Sequence, residues 1–372
     1  MKTFKKLLRI LLGLVMGASF ALCAIPNTIR MAGKDASFLV FESLLVLNCL
    51  FVVLVYDLVI MIHEAGHLIA GLLSGYSFVS YRVFSITLIK LNGKLKLKRF
   101  SLAGTAGQCL MKPPVWTEKG IPVRLYNLGG ILLNVVCFVV SLPLCFVVPM
   151  ASFGGMFVLS FAVLSAITAL MNGIPMANND GDNAVNLEKD LVAVRAFWSS
   201  MMGNALLAEG VALADFPQDL YAVPEDADPT NPHIASSIAS NAQIPLFHHR
   251  FEDGDRAIAE ALEKTGQNLH PVIRILLVNE RIWFELMHEN RKDVLDGFLT
   301  KEFVKYQKAM RTMPSVIRVL YTQALAAGNA KDVQKFESAF ARIAKTHPYQ
   351  QEIDDERYLM GLAKQHFALS NT

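Results

Sequence analysis

Apolar residues run in four long blocks over the first 175 positions and thin out beyond them. The blocks cover about residues 7–25, a stretch within 38–73, 126–148 and 153–171. Each meets the roughly 20-residue requirement for a helix that crosses a bilayer, so the pattern predicts four spanning helices. The second block is longer than one crossing needs and predicts a tilted, broken or protruding helix, entered from a cap at Asp35 or Ser37. Between the second and third blocks, FSITLIKLNGKLKLKRF alternates apolar and polar residues on both sides of Asn92-Gly93. Period-two alternation around a dipeptide suited to a type I′ turn predicts a β-hairpin over 77–100. Its alternating lysines serve either as a charged edge against aggregation or as contacts to anionic headgroups.

After Asp182 the periodicity becomes that of amphipathic helices, interrupted at 215–233 by a Pro/Asp-rich stretch that reads as an extended linker or an ordered wrap. Farther on, DGDRAIAEAL, ENRKDVLDGFL and GNAKDVQKFESAF place Ile258, Val294 and Val333 at matching points, 36 and 39 residues apart. Helix pairs of the tetratricopeptide type would produce this spacing, and so would a plain helical bundle. The expected architecture is an α-helical integral membrane protein of about four transmembrane helices with a β-hairpin insertion, followed by an all-α domain. Its divisions are an N-terminal span and short loop at 1–37, an apolar core at 38–181, a helix and linker at 182–232, and the helical domain at 233–372. Lys2, Lys5, Lys6 and Arg9 precede the first block, and no clear small-x-small cleavage pattern follows it, which favours a retained anchor over a removed signal peptide.

Composition agrees with a membrane class: 53% of residues are hydrophobic and 18% charged. A formal charge of +3 with no basic, aromatic-interleaved motif excludes nucleic acid as the expected partner. The five cysteines (Cys23, Cys49, Cys109, Cys137, Cys145) lie in or beside apolar blocks, as packed thiols do, and not in a disulfide or zinc-ribbon pattern. Charge also orients the chain. The N-terminus is basic, and Arg82, Lys90, Lys94, Lys96, Lys98, Arg99, Lys112, Lys119 and Arg124 load the second connection. The positive-inside rule then puts both, and the C-terminal domain, on the cytoplasmic side of a membrane expected to be a bacterial cell membrane.

Chemistry enters at MIHEAGHL, residues 61–68, near the end of the second block. Ionisable groups at membrane depth are costly and survive when paired, when lining a cavity or when holding an ion. His63 and His67, four apart, project from one face of a helix. Two neutral imidazoles there can hold Zn2+, with Glu64 as general base. A catalytic zinc site needs a third protein ligand. NGIPMANNDGDN, after the fourth block, offers Asp180 in a helix-breaking segment, which taken alone is also a polar turn capping the next helix at Asp182 or Asn183. Asp57, about two turns before Glu64, is either an orienting partner for a histidine or an interhelical group.

HExxH closing one span, Asn-x-x-Pro-x-x-x-x-Asp-Gly from Asn172 after a later one, and Gly130-x-x-x-Asn134 in the span between together resemble the site-2 protease family of intramembrane zinc metalloproteases. The resemblance covers roughly residues 38–185. It implies zinc ligands His63, His67 and Asp180, with Glu64 as catalytic acid/base. It also implies substrate contacts at Asn134, Gly130, Asn172 and Pro175, and a β element that receives substrate as an added strand along 77–91 or 94–100. Asn179 stands where the family usually has an apolar residue, and no PDZ domain fits between the third and fourth spans. The implied activity is hydrolysis of peptide bonds in membrane-embedded or membrane-associated substrates, with the bilayer and a membrane protein or peptide as partners. A further protein partner is expected on the helical domain. Two rival readings remain: a gluzincin taking Glu280 or Glu285 as third ligand, and an inactive protease-like scaffold.

Overall fold

The structure is a computed structural model that describes residues 2–99, 106–176 and 179–369. Phe100, the far end of the expected hairpin, and Ala177 and Asn178 of the expected helix break lie outside the described residues. The chain divides into two compact units: residues 1–78, 106–109 and 122–190, and residues 79–105, 110–121 and 191–372.

The first unit is built on four long helices: α1 (Lys2–Ala32), α2 (Phe38–Leu73), α3 (Arg124–Leu144) and α4 (Phe153–Gly173). The Ser37 hydroxyl caps α2 by accepting from the Val40 amide, and Ser152 caps α4 through the Gly155 amide at 3.0 Å. The helices pack on one another through small and branched residues, with Cys23 and Ala24 of α1, Val52, Val55 and Val59 of α2, and Met156 and Leu164 of α4 in one cluster. Their outward faces are also apolar, with Leu39, Leu54, Val139, Val140 and Leu170 exposed. A helix apolar on every side needs a nonpolar surrounding, and its own backbone hydrogen bonds make it fit for lipid. Polar side chains are also buried between them: Asn48 of α2 donates to the Thr28 hydroxyl of α1 at 2.8 Å.

Among the described residues five helices, not four, are long and apolar enough to cross a membrane. The fifth is α6 (Leu191–Ala208), which follows the short α5 (Asp180–Asn186) and belongs to the second unit. A larger share of it is covered by protein. It is 56% buried by protein, against 22–44% for the other four. The sequence pattern merges this segment with the amphipathic helices after it.

The second unit contains most of a four-stranded antiparallel sheet of order β3-β2-β1-β4, formed by β1 (Ser77–Val83), β2 (Ile86–Leu91), β3 (Lys94–Arg99) and β4 (Gly107–Lys112). Asn92 and Gly93 both take positive φ, as a type I′ turn requires. The expected single arm 77–91 is two strands, because the chain turns at Phe84, whose φ is +52° and whose carbonyl accepts from buried Arg82. This corrects the expected substrate edge along 77–91: β1 and β2 are each flanked by two strands, and among the described residues β3 and β4 are the outer strands. Val79 and Ile89 pack with Ala205 and Ala208 of α6 and with Tyr349.

Helices α7 (Pro232–Ala242), α8 (Ile244–Phe247), α9 (Phe251–Thr265), α10 (Pro271–Met287), α11 (Lys292–Phe298), α12 (Lys301–Ala309), α13 (Pro314–Ala326), α14 (Ala330–Thr346) and α15 (Gln350–Leu369) complete this unit. The proline-rich stretch before α7 is an ordered wrap with Leu220 and Ala227 buried. Ile258 is fully buried while Val294 and Val333 are half-buried, so the three matching positions occupy unlike environments. Buried Arg318 bridges Glu280 and Glu356, at 2.6 and 2.5 Å, beside Trp283.

Candidate metal centre

At 36 residues, α2 is about 54 Å long, far more than the ~30 Å hydrocarbon layer. Its last three turns carry a buried stripe of His63, Glu64, Gly66, His67, Ala70 and Gly71. Glycine permits that stripe to meet α3. A Cβ on Gly66 would overlap the Gly129 carbonyl, and one on Gly129 would overlap the Gly66 carbonyl, so the two backbones touch. One residue on, a Cβ at Gly130 would sit 2.6 Å from His63 Nε2 and 2.7 Å from His67 Nε2. Gly130 is therefore the floor of the imidazole pair.

Asp180 reaches the pair from the start of α5. Asn179 positions it: the Oδ1 atom accepts from the Asp182 amide at 2.9 Å and the Met176 amide at 3.1 Å. Its Nδ2 donates to the carbonyls of Ile174 at 2.7 Å and Met171 at 3.1 Å. One side chain thus ties the end of α4 to the beginning of α5. The N-cap of α5 is Asn179, not Asp182 or Asn183 as the sequence suggested, because the helix starts earlier than the Asp-Asn pair implied.

The three donors converge. His63 Nε2 lies 3.0 Å from Asp180 Oδ2, His67 Nε2 lies 3.3 Å from the same oxygen, and the two Nε2 atoms are 3.2 Å apart. Tetrahedral coordination with bonds near 2.0–2.1 Å separates ligand atoms by roughly 3.3 Å, so this donor set fits a single divalent ion. Burial works to raise the Asp180 carboxyl, but hydrogen bonds from His63 and His67 outweigh it and hold the group below the usual carboxylate range. Burial, followed by the charge of Glu64, pushes the Cys109 thiol up to about 12.

Around the donors, each histidine has its outer nitrogen occupied. His67 Nδ1 lies 2.9 Å from the Tyr126 carbonyl, and His63 Nδ1 lies 3.1 Å from the Asn134 amide. The orienting place offered to Asp57 is filled by these two. Glu64 is buried against β4, with Gly107 beside its carboxylate and the Cys109 backbone N–H hydrogen-bonded to it. The Tyr126 hydroxyl donates to the Cys109 carbonyl at 2.8 Å. Tyr126 therefore holds one metal-site histidine through its carbonyl and the strand at Glu64 through its hydroxyl.

Of the residues expected from sequence, His63, Glu64, His67, Gly130, Asn134 and Asp180 come together. Asn172 instead donates to the Thr168 carbonyl at 3.0 Å, and Pro175 is exposed. The gluzincin candidates are engaged elsewhere, Glu285 by Arg291 and Glu280 by Arg318. Sequence reasoning marked Asn179 only as a departure from the family pattern, and it missed Tyr126, Gly66 and the β4 backbone. Of the missed residues, Gly66 had a signal, as a small residue inside the HEAGH stripe. The His63–His67–Asp180 group, buried among apolar helices, is the composition and spacing of a site able to hold a metal ion. Comparison with family models, with curated proteins and with solved structures finds no match to this chain.

Proposed function

We propose that this protein is an intramembrane zinc metalloprotease of the site-2 protease type, which hydrolyses peptide bonds of membrane-embedded or membrane-associated polypeptides. The observation that carries this reading is the convergence of His63, His67 and Asp180 within 3.0–3.3 Å of one another, next to a buried Glu64. When bound there, Zn2+ supplies Lewis acidity to the scissile carbonyl and the attacking water. Glu64 takes a proton from that water and delivers it to the departing amine. A carboxylate buried this deeply keeps its orientation because the Cys109 amide holds it.

A helical substrate hides its carbonyls in its own hydrogen bonds and must unwind before attack. The edge strand β4, whose Gly107 and Cys109 lie against Glu64, is the place where the freed backbone adds as a further strand. The helical domain recruits substrate or a regulatory protein partner. The bilayer is the cell membrane, with the C-terminal domain on its cytoplasmic face.

Replacing Glu64 with Gln removes the base and keeps the side chain's shape. Turnover should fall by about 10²–10⁴-fold with metal content unchanged. Membrane proteomes of cells carrying wild-type or Glu64→Gln protein should differ by an uncut substrate that accumulates in the variant. Identical proteomes, or cleavage by the variant at the wild-type rate, would remove this function.

A further inference from the structure

Asn134 is fully buried on α3, four residues after Gly130, so both face the same stripe of α2. Gly130 makes room for the imidazoles, and Asn134 touches one of them. Its Nδ2 lies 3.1 Å from His63 Nδ1, while its Oδ1 is buried and has no hydrogen-bond partner among the described residues. A buried carbonyl oxygen left unmatched forfeits its hydration without replacement, so such an atom calls for a donor.

Ligand chemistry supplies that donor. A histidine that gives its Nε2 lone pair to an ion carries its remaining proton on Nδ1, and Nδ1 then donates. The partner must be an acceptor. Asn134 carries one on the same amide, and a half-turn about the Cβ–Cγ bond exchanges Oδ1 with Nδ2 without moving any other atom, so the hydrogen-bond network selects the orientation. His67 needs no such side chain, because its Nδ1 faces the Tyr126 backbone carbonyl.

We infer that Asn134 is a positioning residue for His63: its amide oxygen accepts from Nδ1–H and fixes the ring so that Nε2 faces the ion. This differs from the substrate contact that the family resemblance implies for Asn134. It rests on reading His63, His67 and Asp180 as a metal centre.

The test uses the purified full chain in detergent, with Co2+ as the probe. Its visible ligand-field absorption is titrated in competition with a chelator, for wild type, Asn134→Leu and Asn134→Asp. Leu removes the acceptor at similar volume and should weaken Co2+ binding about 10–100-fold, the range for lost outer-shell partners of metal ligands. Asp keeps an acceptor oxygen and should restore wild-type affinity and spectrum. A purely packing role predicts the opposite order, because a buried charge disturbs helix contacts more than Leu does. Should Leu prevent folding, Asn134→Ala serves in its place. Undiminished affinity in the Leu or Ala variant, or failure of Asp to restore it, overturns the inference while leaving the metal centre standing. A wild type that takes up no Co2+ overturns the centre itself, and this inference with it.

Discussion

A single methyl group at residue 130 would occupy the space between the imidazoles, 2.6 Å from His63 Nε2. Gly130→Ala should therefore abolish metal uptake while leaving helical content near that of wild type, which circular dichroism and elemental analysis of one preparation would check. An Ala variant holding one ion at wild-type affinity would mean that the pair does not work as a unit. At this scale the site was largely legible, because His63, Glu64, His67 and Asp180 act through side chains whose types and spacing stand in the sequence. Tyr126 and Cys109 were not. They act partly through backbone carbonyl and amide groups, which every residue type carries, so no letter marks them.

Helix α5 shows how an element places a ligand. Asn179 makes four hydrogen bonds across the α4–α5 junction. Asn179→Ala should destabilise the fold by about 1–2 kcal/mol, the upper part of the range for a lost N-cap, and should weaken metal binding because Asp180 follows it directly. Thermal unfolding with and without added Zn2+ measures both effects, and an unchanged melting temperature would refute the cap. The spans and the Asn92-Gly93 turn were readable from periodicity and turn chemistry. The break at Phe84 was not, since a positive φ at phenylalanine has no sequence signature and is fixed here by a contact from Arg82. The α6 segment reads in sequence as one of the amphipathic helices, yet it is long and apolar enough to be a fifth candidate span, since apolar composition is the same whether lipid or protein covers it.

Across the whole molecule, the helical unit has a pH response of its own. Burial pushes the Glu356 carboxyl up to about 7; Arg318 opposes this, and Glu280 and Asp355 add repulsion. A carboxyl whose folded pKa exceeds its unfolded one contributes stability that is complete below about 4.5 and is lost as pH rises through 7. Glu352 shifts in the same direction, also to about 7. Melting followed by the fluorescence of Trp283, which stacks on Arg318, should therefore move to lower temperature between about pH 5 and pH 8. Glu356→Gln should flatten that slope. A slope of opposite sign, or one unaltered by the substitution, would contradict the assignment.

Two imidazoles and a carboxylate brought together by α2 and α5 are the centre of the account, and the nature of what they hold is open to direct measurement. X-ray absorption at the zinc edge of the purified full chain should find one ion per chain bound by two histidine nitrogens and a carboxylate oxygen near 2.0–2.1 Å, and Asp180→Ala should lose it. A folded wild-type protein that retains no zinc, or a zinc shell containing sulfur, would contradict it.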